Sequence, residues 1–156
     1  MKIEIRDYSD SLDRDPFMEM LVTCFSQDYK LPLTREQLEG WRDVLVRLAA
    51  EQIVFLDILT IDGTPQGFIL SQIDTPESDW CLKEGYGFIR ELYVAAELRK
   101  AGHGKALVSH AESRLRQKGV PGIYLTTDEA MDFWTRMGYR DSGEICHENN
   151  SLIFLK

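Results

Sequence analysis

The sequence predicts a single α/β domain over residues 1–156, built on a mixed, mostly antiparallel central sheet of about seven strands flanked by about four helices. Three observations predict it. Length and composition come first: 156 residues, 44% hydrophobic and 28% charged, suit one apolar core under a charged surface. Second, the hydrophobic pattern switches between strand and helix periods along the chain, in the order β-α-α-β-β-β-α-β-α-β-β. Third, only one strand–helix–strand crossover is evident in that order, which speaks against a doubly wound parallel sheet.

Taken in order, "KIEIRDY" alternates as a strand does. "DPFMEMLVTCF" predicts a helix with Asp15 as N-cap and Pro16 at the first helical position. Phe17, Met20, Leu21 and Cys24 share its apolar face. "LPLT" breaks the chain, and Thr34 with Gln37 has capping-box spacing for a second helix striped by Leu38, Trp41, Leu45 and Leu48. "IVFLDILTI", the turn "DGTPQ" and "GFILSQI" predict an antiparallel hairpin. "DTPESDWCLKEG" reads as a polar loop and "YGFIRELYV" as the next strand.

A helix follows to about Lys118, with Leu107, Val108, Ala111 and Leu115 on its buried face and Gly119 and Pro121 closing it. "GIYLTT" is a short strand. "DEAMDFWTRMGY" predicts a helix with acids in its first turn, with Ala130, Phe133, Trp134 and Met137 on one face and Gly138 after its end. "YRDSGEICHE" and "SLIFLK" predict the last two strands.

Charge and composition narrow the function classes. Eighteen basic against 26 acidic residues leave a net charge of −8, which argues against a nucleic-acid partner and mildly favours a cationic substrate. No apolar run approaches the roughly 20 residues a bilayer span needs. "MKIEIRDYSD" lacks the pattern of a signal peptide, so a cytoplasmic location is expected. Cys24, Cys81 and Cys146 are odd in number and far apart, so reduced thiols are expected; no Cys/His cluster points to a metal.

"LRKAGHGKAL" carries the chemistry. It is not a P-loop, because Arg99 stands where the first glycine belongs and Ala106 where Ser or Thr belongs. Nor is it a dinucleotide fingerprint, since Leu107 replaces the third small residue. What remains is a strand, Arg99, then Gly102 and Gly104, then a helix. Glycines admit close backbone approach, and the first helical turn offers unpaired N–H groups to an anion. Arg99, Lys100 and Lys105 oppose the helix dipole there, which is a small hint of a bound anion. From this stretch alone, an anion cradle and a glycine turn with solvated lysines are equally supported.

The surroundings favour the cradle. Leu92-Tyr93-Val94 followed by Arg99-Lys100-Ala101-Gly102-His103-Gly104 resembles the strand and R/Q-x-x-G-x-G/A signature of the GCN5-related N-acetyltransferases. "TTDEAMDFWTRMGY" is similar to that family's N-x-x-A-x-x-F-Y-x-x-x-G-F, with Ala130, Phe133, Gly138 and Tyr139 in register. The element order resembles the same acyl-CoA N-acyltransferase-like fold over nearly the whole chain.

The resemblance implies transfer of an acetyl group from acetyl-CoA to a primary amine of a small molecule or peptide, with no metal. It also implies that the N–H groups of Arg99, Lys100, Ala101, Gly102, His103 and Gly104 hold the pyrophosphate beside Lys105. Leu92, Tyr93 and Val94 would bind the pantetheine arm along a splayed strand edge, and an N–H near Val94 would polarise the thioester carbonyl. Two positions depart from the family. Thr127 replaces its Asn, and Trp134 replaces the Tyr that often protonates the leaving thiolate. Both are carried as cofactor-binding positions, and Tyr93 or water is left as the proton donor.

Glu91 is the candidate general base, because a carboxylate inside "FIRELYV" is either paired or useful. The rival reading is a structural pair, for instance with an arginine. Asp74, Glu77, Asp79 and Glu84 form either a solvated loop or a cation-attracting rim, and His110 reads as exposed on its helix. No serine or cysteine has an activating partner, so direct transfer is expected. A non-catalytic acyl-CoA sensor of the same fold is the alternative. Oligomeric state, a homodimer included, and the acceptor stay open.

Overall fold

The computed structural model describes all of residues 1–156. Its strands are β1 (Ile3–Asp7), β2 (Val54–Ile61), β3 (Thr64–Ile73), β4 (Gly87–Val94), β5 (Ile123–Thr127), β6 (Arg140–Ile145) and β7 (Leu152–Leu155). Its helices are α1 (Asp10–Thr23), α2 (Arg35–Ala50), α3 (His103–Gln117) and α4 (Met131–Arg136). The strands make one seven-stranded sheet in the order β1-β2-β3-β4-β5-β7-β6. Every neighbouring pair is antiparallel except β4 with β5, the one crossover visible in the sequence.

Two layers of helix cover the sheet. Phe17 and Leu21 of α1 and Leu38, Leu45 and Leu48 of α2 pack against Leu56, Ile58, Phe68, Leu70 and Tyr93 on one face. Leu107, Val108, Ala111 and Leu115 of α3, all fully buried, pack with Trp134 of α4 against Leu59, Ile69, Ile89 and Val94 on the other. The α2 stripe forms as its spacing predicts. Thr34 Oγ1 accepts from Gln37 N–H at 3.1 Å and Gln37 Oε1 accepts from Thr34 N–H at 2.8 Å, which closes the capping box.

Three boundaries differ from the local signals. Helix α1 begins at Asp10, so Asp15 is not its cap and Pro16 lies inside it. The reason is a side-chain lock ahead of the proline. The fully buried Asp13 carboxylate accepts from Ser9 N–H at 2.8 Å and from both terminal nitrogens of Arg6 on β1, at 2.7 and 2.9 Å. These charge-assisted bonds draw the helix out past the proline. The β2–β3 turn is only Asp62–Gly63, with φ of 50° and 82°, so Thr64 and Pro65 of the predicted turn belong to β3. Helix α4 begins at Met131 rather than Asp128, because Thr127 Oγ1 accepts the Glu129 N–H at 3.1 Å and Ala130 is left-handed at φ 53°.

The feature that makes a site is the parting of β4 from β5. They pair only at Gly87–Ile123 and Phe88–Tyr124, and beyond that the strands diverge. Opposite this gap β4 carries a bulge. Leu70 of β3 faces Glu91 while its neighbour Ser71 faces Ile89, which leaves Arg90 as the extra residue.

Candidate active site

A cradle is built at the head of α3. Arg99 N–H donates to Ala96 C=O at 3.3 Å and Ala106 N–H to Gly102 C=O at 3.0 Å, but the N–H groups of Lys100 through Lys105 have no partner in the chain. Lys100 and Gly102 are left-handed at φ 65° and 88°, on either side of Ala101. Alternation of this kind turns successive N–H groups inward to an anion-binding nest. The free run therefore starts at Lys100 and not at Arg99. A Cβ on Gly104 would lie 3.6 Å from the Phe133 ring, so the glycine keeps open the space between the cradle and α4.

The open edge of β4 leads away from the cradle. Alternate residues of an antiparallel strand turn their N–H and C=O groups toward the partner. Ala95 N–H donates to Gln66 C=O at 2.9 Å beside β3, so Leu92 and Val94 turn theirs to the edge that β5 has left. Val94 C=O is already taken by Arg99 Nε at 2.8 Å. Leu92 N–H and C=O and Val94 N–H remain for a ligand. That set suits an extended amide-bearing arm added as a strand.

Between β4, β5 and α4 lies a cavity of about 480 Å³. Phe25, Tyr29, Glu91, Thr127, Phe133 and Trp134 are among the residues that line it. Trp134 is wedged edge-on between Phe133 and Tyr139, with ring centroids at 4.9 and 5.5 Å. It is a wall of the cleft with a strong packing role. Thr127 hydrogen-bonds within its own turn, both to Glu129.

Glu91 enters this cavity. Tyr29 donates its hydroxyl to Glu91 Oε2 at 2.7 Å. Burial pushes the Glu91 carboxyl up to about 7, against the opposing pull of the Tyr29 bond and the Arg90 charge. A carboxylate so placed titrates near neutrality, which suits a proton acceptor. Its partner is thus a tyrosine and not the arginine of the rival reading. Cys24 is pushed up to about 12, first by burial and then by the Glu91 charge, so it stays a thiol and is no nucleophile.

Both anchors of the cleft come from the connection between α1 and α2, a π-helical turn over Cys24–Asp28 followed by Tyr29. Asp28 Oδ2 accepts from Arg99 Nη2 at 2.7 Å, and the guanidinium also lies 5.7 Å from the Tyr93 ring centroid. The Arg99 side chain is therefore committed to Asp28 and Val94 and is not turned to the cradle; Lys100 and Lys105 are exposed beside it. His103 is buried, and its N–H belongs to the unpaired run.

Tyr93 lies outside the cleft lining. It is buried against Phe68, with ring centroids at 5.8 Å, and burial raises its phenol above the usual range. The structure thus gives no support to Tyr93 as a proton donor. Two further expectations change. Asp74 is buried and accepts from Leu82 and Lys83 N–H at 2.9 and 2.8 Å, so it folds the loop instead of attracting a cation. His110 is half-buried, with Nε2 3.4 Å from Asp57 Oδ1.

The gap in the sheet, the nest and the free β4 edge are the parts expected of an acyl-CoA site. Residues 14–139 match the family model described as the Acetyltransferase (GNAT) family. The chain belongs to this family. No curated protein matches it. Among solved structures it resembles the PaiA N-acetyltransferase of Thermoplasma acidophilum in complex with coenzyme A, at TM-score 0.75 and 20% identity over 100% of this chain and 99% of that one. Ard1 from Thermoplasma volcanium aligns at TM-score 0.70 and 18% identity, covering 100% and 97% of the two chains. A GNAT family acetyltransferase from Brucella melitensis in complex with acetyl-CoA aligns at TM-score 0.68 and 15% identity, covering 99% and 87%. At these identities the likeness is one of fold.

For this GNAT domain, reading along the sequence missed Tyr29, Asp28 and Arg90. Nothing local marks the first two, which reach the site only when α1 packs on the sheet. Arg90 is a charge inside an otherwise apolar run, which marks it as paired or useful, but its placement depends on the bulge seen in the β3–β4 register.

Proposed function

We propose that the protein is an acetyl-CoA-dependent N-acetyltransferase that transfers acetyl directly to a primary amine of a small molecule or peptide. The observation that carries this reading is the run of unpaired N–H groups from Lys100 to Lys105, with Gly104 set against Phe133 and Leu92, which line the cleft that holds the half-buried carboxylate Glu91. The nest fits a pyrophosphate, and the free groups of Leu92 and Val94 fit a pantetheine arm. Acetyl-CoA supplies an acetyl thioester, activated toward an amine.

The chain's own groups do the rest. Val94 N–H polarises the carbonyl oxygen as negative charge develops there. Glu91 takes the proton that an ammonium must lose before its nitrogen can attack. Tyr29 holds one carboxylate oxygen, so Oε1 is the one left for the amine. No side chain in the cleft is assigned as the final acid, because a thiol of ordinary acidity leaves as thiolate. A net charge of −8 and the cleft residues Asp128 and Glu129 favour a cationic acceptor over an anionic one. Free thiols at Cys24, Cys81 and Cys146 suit a reducing compartment such as the cytoplasm.

Trp134, in the place of the family's frequent tyrosine, favours a second reading, a CoA-binding sensor without transfer. One experiment separates the two. Acetyl-CoA and CoA should raise the melting temperature by mass action, and a panel of chemically diverse amines should release CoA thiol. Binding without release from any amine selects the sensor. No thermal shift at millimolar ligand overturns both readings.

A further inference from the structure

The bulge in β4 gives Arg90 and Glu91 an unusual relation. Ile89 and Leu92 both pack with α3, although three residues apart in a strand. Phe88 packs with Tyr124 on the opposite face, and Tyr93 with Phe68 on that same opposite face. The parity of the strand has therefore been reset, and the two residues between, Arg90 and Glu91, fall on one face. In a regular strand they would point to opposite sides.

Arg90 is buried to the point that its side chain is 8% exposed. Its guanidinium donates to both oxygens of Asp79, at 2.7 and 3.0 Å, and to Gln72 Oε1 at 2.9 Å. Burial pushes the Asp79 carboxyl up, but the Arg90 bonds outweigh it and hold the group below its usual range. Gln72 is fully buried, accepts from Ser78 at 2.8 Å, and donates to Asp74 Oδ1 and Trp80 C=O, each at 2.8 Å. Asp74 also accepts from Tyr124. The loop between β3 and β4 is thus keyed into the sheet, and what it delivers is a carboxylate for Arg90.

A buried ion pair is weak evidence for stability, since desolvation offsets much of the attraction. Its position offers more. The charged and titratable groups near Glu91 are Tyr29 and Cys24 from the α1–α2 connection, with Asp28 and Arg99 paired beside them, and Asp128 and Glu129 in the same cleft. Arg90 is the cation whose charge acts on Glu91, and Asp79 is its counter-ion.

We propose that Arg90 is a positioning residue for Glu91. Clamped by Asp79, it fixes the bulge that aims the carboxylate into the cleft, and it supplies the positive charge that favours the ionised carboxylate. Asp79 sets how much of that charge Glu91 feels. This rests on the reading of Glu91 as the base.

The test uses variants whose effects have opposite sign. Arg90→Gln removes the cation, so Glu91 should hold its proton to higher pH, by about one pH unit. Asp79→Asn leaves the cation unshielded, so Glu91 should ionise at lower pH. Arg90→Lys should bring the profile back toward that of the parent protein. Two readouts are needed: the acid limb of kcat/KM for an accepted amine, and the Glu91 carboxyl titration followed by carbon NMR in the same proteins. Opposite displacements in both readouts support the proposal. Opposite displacements in the NMR titration, with the acid limb unmoved, also support the charge pair but overturn Glu91 as base. A Glu91 midpoint that stays put in Arg90→Gln and Asp79→Asn, or moves the same way in both, overturns the proposal.

Discussion

Replacing Tyr29 by phenylalanine removes one hydroxyl and leaves the ring that packs edge-on against Phe25, with centroids at 5.1 Å. The hydroxyl donates at 2.7 Å to Glu91 Oε2, a short bond to a group that is charged above about pH 7. Hydrogen bonds to charged groups contribute about 1.5–3 kcal/mol. At 1.36 kcal/mol per pH unit, losing the low end of that range raises the Glu91 midpoint by about one unit. The bond favours the ionised form, so the sign is upward and the acid limb of kcat/KM moves to higher pH. With the parent midpoint near 7, the ionised fraction at pH 7 falls from about one half to about one tenth, so activity falls about five-fold there and is nearly restored at pH 9. The assay is CoA thiol release from an accepted amine between pH 5.5 and 9.5. A uniform loss at every pH would mean that Tyr29 acts through substrate binding, and unchanged activity at pH 6 would refute the argument.

Other outcomes follow from the same geometry. Glu91 is raised from 4.5 to about 7 in the fold, so the folded state holds a proton that the unfolded chain loses, and stability should decline as pH rises across that window. Glu91→Gln should flatten this decline and raise stability at neutral pH by on the order of 2 kcal/mol, read from urea unfolding at pH 5 and pH 7.5; equal pH slopes in the two proteins would contradict it. In the cradle, Gly104→Val should abolish the CoA thermal shift without unfolding the protein, because its Cβ would make contacts of ordinary van der Waals length, the nearest to the Phe133 ring at 3.6 Å and Leu92 Cδ2 at 3.9 Å. Gly102→Val also strains a backbone at φ 88°, at about 1–2 kcal/mol, so only the Gly104 variant tests the cradle cleanly; CoA binding retained there would move the phosphates elsewhere.

Much of the fold was legible because local physics and tertiary packing agreed. The Thr34–Gln37 box and the Leu107, Val108, Ala111 and Leu115 stripe sit where spacing places them, and β2 and β3 pair as the expected antiparallel hairpin with a tighter turn. Legibility failed where a nearby side chain outbid the cap signal. Asp13 pulled α1 past Pro16, and the Thr127 hydroxyl held Asp128 and Glu129 out of α4.

The site divides in the same way. The cradle was half legible in the sequence: the glycines at a helix head mark a turn that can offer free N–H groups, but the stretch alone left cradle and plain turn level, and positive φ at Lys100 and Gly102 shows in the backbone. The amino-acid sequence by itself determined that a carboxylate stands in an apolar strand. What surrounds that carboxylate is set by packing. Tyr29 reaches it across 62 positions of sequence, and Asp79 reaches Arg90 across a folded loop. The bulge, visible only in the pairing of β3 with β4, turned two neighbouring charges to one side. Backbone nests are local, whereas the electrostatic environment of a buried charge is made by groups that meet only when the chain is packed.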